Sequence, residues 1–186
     1  MISHPHKCIF IHIARTAGTS IEHSIIGKDW WRVDPSSKHI SVQQTITKFG
    51  KDVYNDYFTF TVIRNPWDRI ISMWQKKWWS NKQPMSLPAF LKQLKPNKNE
   101  HYKSLFYHEI LNGPVDFIVR FENLQEDMNY VFDKIGMPRK VLPHITQSKH
   151  RCHYTTYYDE ETRTLVASMF KTDIEMFGYH YESPAC

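Results

Sequence analysis

The residues of this chain best suited to chemistry stand in two short clusters. The first runs through His12, Arg15, Thr16, Ala17, Gly18, Thr19 and Ser20; the second holds Arg64, Asn65, Pro66, Arg69 and Ser72. In the first, the apolar run Cys8 to Ile13 breaks into a Gly-containing loop, and Ser20 to Ile26 follows with Ile21 and Ile25 on one helical face. The first-turn N–H groups of such a helix lack intrahelical partners and carry the positive end of the helix dipole, so a phosphate or sulfate fits the loop. Gly18 lets backbone approach the anion, Thr19 and Ser20 add hydroxyls, and Arg15 adds a permanent charge with a planar fork of donors. Taken alone, an ordinary strand-to-helix turn reads the same way.

The second cluster follows Tyr57 to Ile63, another buried-strand composition, so a second strand end delivers a cation, Arg64. Asn65 is a good N-cap and Pro66 suits the first helical position, which starts a helix carrying Ser72 about two turns in. With both segments in view, the chain resembles the PAPS-dependent sulfotransferases, in particular the carbohydrate-type branch. His12 to Ser20 is similar to that family's H-I-P-K-T-A-G-T-S motif, and Arg64 with Ser72 to its R-N-P-x-x-R-x-x-S motif. The resemblance continues through Val115 to Leu124 and through Tyr157–Asp159 to Asp173–Tyr179, covering most of the chain. It implies a P-loop-like α/β fold with a central parallel β-sheet flanked by helices, and residues 1–186 as a single sulfotransferase domain. It also implies that Arg15 and the backbone of Thr16, Ala17, Gly18, Thr19 and Ser20 bind the 5'-phosphosulfate of PAPS, and that Arg64 and Ser72 bind the 3'-phosphate. Two departures stand out. Ala14 occupies the place of a proline, and Arg15 that of a lysine; arginine supplies the same charge but cannot donate a proton.

Sulfuryl transfer by in-line displacement needs alignment, charge stabilisation at the leaving oxygen and a base for the acceptor hydroxyl. His39 has the pKa range for that base, and its K-H-x-x setting resembles the family region that supplies a catalytic histidine; a surface loop histidine is the plain alternative. His12, at the end of a buried strand, reads as a hydrogen-bonded support for the loop. In the basic segment Gln147 to Arg151, Lys149 and Arg151 are candidates to close over the nucleotide, as a late loop does in the family. The resemblance calls for no metal. It implies PAP as product and a hydroxyl-bearing acceptor, with a carbohydrate expected by analogy; nucleic acid is not expected as a partner.

The elements that must position these groups follow from local signals. Ser41 caps a helix running to Phe49 that Gly50 ends, Ser86 caps a short helix to Leu94, and Asp159 caps a helix to Phe170. Asp116 to Phe121 is a third strand, followed by a helix from Leu124 to Ile135 that Gly136 ends. Arg120 and Glu122 at that strand's exit read as a structural ion pair or packing device. Trp67, Trp74 and Trp78 recur at helical spacing and read as a core stripe, whereas Trp30, Trp31 and Trp79 lie outside it, available to stack on a sugar or the adenine. Lysine and asparagine dominate residues 95–103, an exposed-loop composition.

A chain of 186 residues suffices for one real core. Its net charge of +5 and pI near 9.0 suit an anionic nucleotide and equally a nucleic acid. Three cysteines, Cys8, Cys152 and Cys186, are odd in number and lack metal-ligand spacing, which favours reduced thiols. The first strand begins too close to Met1 for a signal peptide or membrane anchor, and no N-x-S/T acceptor occurs, so a soluble, cytoplasmic, full-length chain is expected. Two rival readings stay open: a P-loop-type small-molecule kinase, although G-x-x-x-x-G-K-[ST] is missing, and a nonenzymatic module on the same fold that binds nucleotide, RNA or an acidic polysaccharide.

Overall fold

The computed structural model describes residues 1–76, 84–94, 105–145 and 152–182. Trp78, Trp79, Cys186, the 95–103 segment, Lys149 and Arg151 lie outside the described residues. Four strands, β1 (Ile2–Ser3), β2 (Cys8–Ile11), β3 (Phe58–Ile63) and β4 (Phe117–Arg120), form one sheet in the order β1-β2-β3-β4. β2, β3 and β4 are parallel, with Phe10 opposite Phe60 and Phe60 opposite Phe117. The expected α/β architecture with a central parallel sheet flanked by helices is therefore present, and β1 adds an antiparallel edge to it, Ile2 opposite Ile9. Four residues, His4 to Lys7, turn the chain back, a hairpin connection that only antiparallel strands allow.

β2 is buried along its whole length and β3 at all but its first residue, as near-continuous apolar runs require in a covered parallel sheet. β2 ends at Ile11, two residues before the apolar run does, because the next two carbonyls accept side-chain donors instead: His12 O from His39 and Ile13 O from Thr16 Oγ1. Thr59 and Asp116 lock β3 to the start of β4 through Asp116 Oδ2, which accepts from the Thr59 amide and hydroxyl at 2.7 and 2.8 Å.

Helix α1 (Gly18–Ile26) follows β2 and starts two residues earlier than the sequence pattern suggests. α2 (Val42–Phe49) carries a capping box, Ser41 with Gln44, and stops at Gly50, whose φ of 91° only glycine adopts readily. α3 (Lys51–Asp56) leads into β3, and α4 (Pro66–Gln75) leaves it behind the Asn65 cap. α5 (Leu87–Gln93), α6 (Tyr107–Ile110), α7 (Leu124–Lys134), α8 (Glu160–Met169) and α9 (Lys171–Phe177) complete the α-helices among the described residues. Two apolar cores result among the described residues. One packs around the sheet, including Ile9, Phe10, Phe60, Val62 and Phe132; the other joins α4, α5 and α8 through Trp67, Ile70, Phe90 and Val166. Trp67 thus lies in core, as its spacing indicates, and Trp74 packs against it. Trp30 is also buried, its Nε1 donating to Ser37 Oγ at 2.7 Å, so it offers no stacking face; Trp31 stays exposed.

Among the described residues, no helix is long and apolar enough to cross a membrane.

Candidate anion-binding cleft

The loop between β2 and α1 holds two non-glycine residues in the left-handed region, Arg15 at φ 68° and Ala17 at φ 64°. Each such residue costs about 1 kcal/mol, and alternating left-handed residues turn successive N–H groups toward one concave face. The N-cap residue of α1, Ala17, makes no side-chain bond to the first turn, so the helix's positive end opens at Gly18. A close approach fixes the residue type at that position. A Cβ on Gly18 would lie 2.0 Å from His12 Nε2, which means that the imidazole rests directly on the glycine.

A cleft of about 840 Å³ opens over this loop. Arg15, Ala17, Gly18, Thr19, Ser20, Arg64 and Ser72 all line it. Thr16 does not; it is buried, and its hydroxyl closes the loop onto Ile13 O at 2.7 Å. The two motifs meet inside the cleft. Arg15 donates from Nε and Nη2 to Ser72 Oγ at 3.1 and 2.8 Å, and Arg64 donates from Nη1 to Arg15 O at 3.2 Å. Arg64 also donates from Nε to Asp68 at 2.6 Å and stacks 3.9 Å from the Phe121 ring centre. Burial brings its pKa down to about 10, which still leaves it charged at neutral pH. The second arginine of that motif, Arg69, is buried and donates to Ala14 O and Leu105 O, so it supports the loop from behind. Asn65 caps α4 through the Trp67 amide, while its own N–H donates to Glu122 Oε1 at 2.6 Å. Glu122 also accepts from the Tyr179 hydroxyl, while Arg120 donates to Phe177 O and lies 5.0 Å from the Tyr179 ring centre, so the two meet through Tyr179 as a packing device.

His39 lies beside the cleft rather than in its lining, one ring away: its imidazole meets that of His12 edge-on at 4.3 Å. Its Nδ1 lies 2.9 Å from His12 O, and because a carbonyl only accepts, Nδ1 carries the hydrogen and Nε2 is the basic nitrogen. Burial first, then the neighbouring His12, pushes its pKa down to about 2, so it is neutral at physiological pH and, before a ligand binds, a far weaker base than the ordinary imidazole that the sequence alone suggests. His12 is likewise held below its ordinary range by burial. Its Nδ1 faces Glu22 Oε1 at 2.5 Å, and Glu22 further accepts from Lys38 Nζ at 2.8 Å and the Trp30 amide at 3.0 Å. Although burial opposes its ionisation, those donors bring the Glu22 pKa down to about 2, and Lys38 supplies the balancing charge, shared with Asp29 at 2.5 Å.

Sequence reasoning picked out neither Glu22 nor Lys38, nor Asp68 or Phe121. No local signal marks Glu22, which stands beside His23 and Ser24 between Ile21 and Ile25 as an ordinary polar helix residue would. Among the described residues, no group of three His, Cys, Asp or Glu side chains is placed to hold a metal ion.

The model of the sulfotransferase family matches residues 1–180. An uncharacterized protein of Archaeoglobus fulgidus is 29% identical over 106 residues, covering 50% of this chain and 80% of its own. A crystal structure of a sulfotransferase from Alicyclobacillus acidocaldarius aligns at 15% identity with a TM-score of 0.45, over 82% of this chain. The chain spans 63% of that solved protein's length.

Proposed function

The chain belongs to the sulfotransferase family, and from that premise we propose that it transfers a sulfuryl group from PAPS to a hydroxyl of an acceptor, a carbohydrate by analogy with the branch its motifs resemble. Residues 1–186 are read as one catalytic domain of P-loop-like fold. The observation that carries this reading is the meeting of the two motifs: Arg15 bonded to Ser72, and Arg64 to the Arg15 carbonyl, within one cleft. A nucleotide with phosphates on both its 3' and 5' positions needs two cationic sites at such close quarters.

The open end of α1, the N–H groups from Ala17 to Ser20 and the Arg15 fork fit a phosphosulfate, with Thr16 closing the loop from behind, and Arg64 and Ser72 fit a 3'-phosphate. PAPS, when bound, supplies the activated sulfuryl group. Arg15 then offsets charge on the bridging oxygen as it leaves, and it does so as a fixed cation rather than as an acid. Fixed donors of this kind are worth about 10²–10³ in rate each. Neutral His39, with Nδ1–H held by the His12 carbonyl, presents Nε2 as the proton acceptor for the hydroxyl. An anion bound next to it raises its proton affinity, which favours proton uptake only when the donor is in place. Lys149 and Arg151 are assigned to closure over the nucleotide.

The test is transfer of ³⁵S from labelled PAPS to a panel of mono- and oligosaccharides, phenols and alcohols. The expected result is label on at least one hydroxyl acceptor, with PAP released in step. Arg15→Ala and His39→Ala are each expected to lower the rate about 100-fold or more. If PAP binds, no acceptor takes label, and the two variants change affinity alone, the nonenzymatic reading replaces this one.

A further inference from the structure

Glu22 is completely buried and does not itself line the cleft, and none of its side-chain partners is a group assigned to the nucleotide. Its three donors come from three separate parts of the chain: His12 at the end of β2, the Trp30 amide and Lys38. Apolar side chains of similar volume usually fill such a place without loss of stability. What they cannot supply is orientation.

Two of these donors, His12 and Lys38, lead back to the site. The His12 ring rests on Gly18, and the His12 carbonyl accepts from His39. Lys38 is the chain neighbour of His39, which sits in the left-handed region at φ 61° and so depends on its surroundings to hold its backbone. We propose that Glu22 is a positioning residue: by fixing His12 as the Nδ1–H tautomer and gripping Lys38, it ties the anion loop to the turn that carries His39. The groups that hold the donor and the group that takes the proton are thereby kept in one register. This rests on the sulfuryl-transfer reading above. Glutamine at position 22 keeps the length but replaces one acceptor oxygen by a donor, so it cannot serve His12, Lys38 and Trp30 together.

The experiment is long-range ¹H–¹⁵N NMR of the histidine rings in the whole protein, with and without PAP, alongside calorimetric PAP affinity. In the unsubstituted protein His12 is expected to be protonated at Nδ1, and PAP to shift the His39 ring signals. Glu22→Gln should move the His12 proton to Nε2 and cut the His39 response roughly in half or more, the coupling being carried by this one group. PAP affinity should change less than about threefold, since the phosphate ligands stay in place. Lys38→Met, which keeps the Glu22–His12 bond, should leave the His12 tautomer alone and still weaken the His39 response.

Protonation of His12 at Nε2 in the unsubstituted protein overturns the proposal and needs no variant that folds. So does an unchanged His39 response in both variants, or a loss of PAP affinity in proportion to the loss of response, which would make Glu22 a support of the loop only. Failure of the unsubstituted protein to bind PAP is a different result: it removes the sulfuryl-transfer reading, and the proposal with it.

Discussion

Gly18 has no room for a side chain, because the His12 imidazole occupies the space where a Cβ would stand. Gly18→Ala must displace a buried ring that is itself bonded to Glu22, and overpacking of this kind costs about 1–3 kcal/mol. Urea denaturation should show that loss, and the same change should cost less in a His12→Ala background, the sign of direct coupling. Equal costs in both backgrounds would mean that the clash is relieved elsewhere. The two rings also set a pH dependence. His12 is held below its usual pKa of 6.5 and His39 is pushed to about 2, so between these values the unfolded chain binds protons that the folded chain refuses. Their contribution to stability is therefore complete above about pH 6.5 and falls as pH drops, by at most about 1.4 kcal/mol per pH unit for each ring. Glu22, at about 2, keeps its contribution until pH falls below the ordinary carboxylate range. A urea midpoint that declines from pH 7.5 to pH 5.5 is expected; a flat profile would contradict neutral, buried rings.

Helix and strand ends deliver the site, and Asn65 shows how. It stands between β3 and α4, caps the Trp67 amide, and donates from Nδ2 to the Tyr154 hydroxyl at 3.3 Å and His180 O at 3.0 Å. Asn65→Ala loses a cap worth about 1 kcal/mol and strands buried partners at about 1 kcal/mol or more. A loss of about 2 kcal/mol in denaturation, with α4 the first segment to gain amide hydrogen exchange, is the expected outcome. This scale is also where the sequence was most readable. Ser41, Asn65, Ser86 and Asp159 each cap the helix expected of them, because a cap is a local bond made within a few residues. β1 was missed because two residues carry no periodicity, and α6 because its first turn is satisfied from afar: Asp173, on α9, accepts from the Tyr107 and His108 amides. The candidate site divides in the same way. The loop after β2 and Arg64 after β3 advertise anion chemistry within a few residues, whereas the pairing of Glu22 with Lys38 exists only once α1 and the turn before α2 are packed together. Trp30 and Trp31 are adjacent and of one type, yet one is core and the other exposed, a distinction made wholly by the fold.

At the scale of the molecule, the parallel strands bring two cationic strand ends to the same edge of the sheet, where ligands of open α/β sheets gather. The consequence is a cleft whose preference should be for the placement of two phosphates rather than for negative charge as such. Arg64 is central to that preference: it is nearly buried, charged, aligned by Asp68 and stacked on Phe121, so it is pre-ordered for one anion position. The measurement that bears on this most directly is calorimetric titration with 3'-phosphoadenosine-5'-phosphate against ADP, in the unsubstituted protein and in Arg64→Ala. One charge-assisted contact to the 3'-phosphate, at about 1.5–3 kcal/mol, predicts that the bisphosphate binds about tenfold or more tighter than ADP. Arg64→Ala should erase that difference while leaving ADP affinity little changed. Equal binding of the two nucleotides, or binding of neither, would contradict the account.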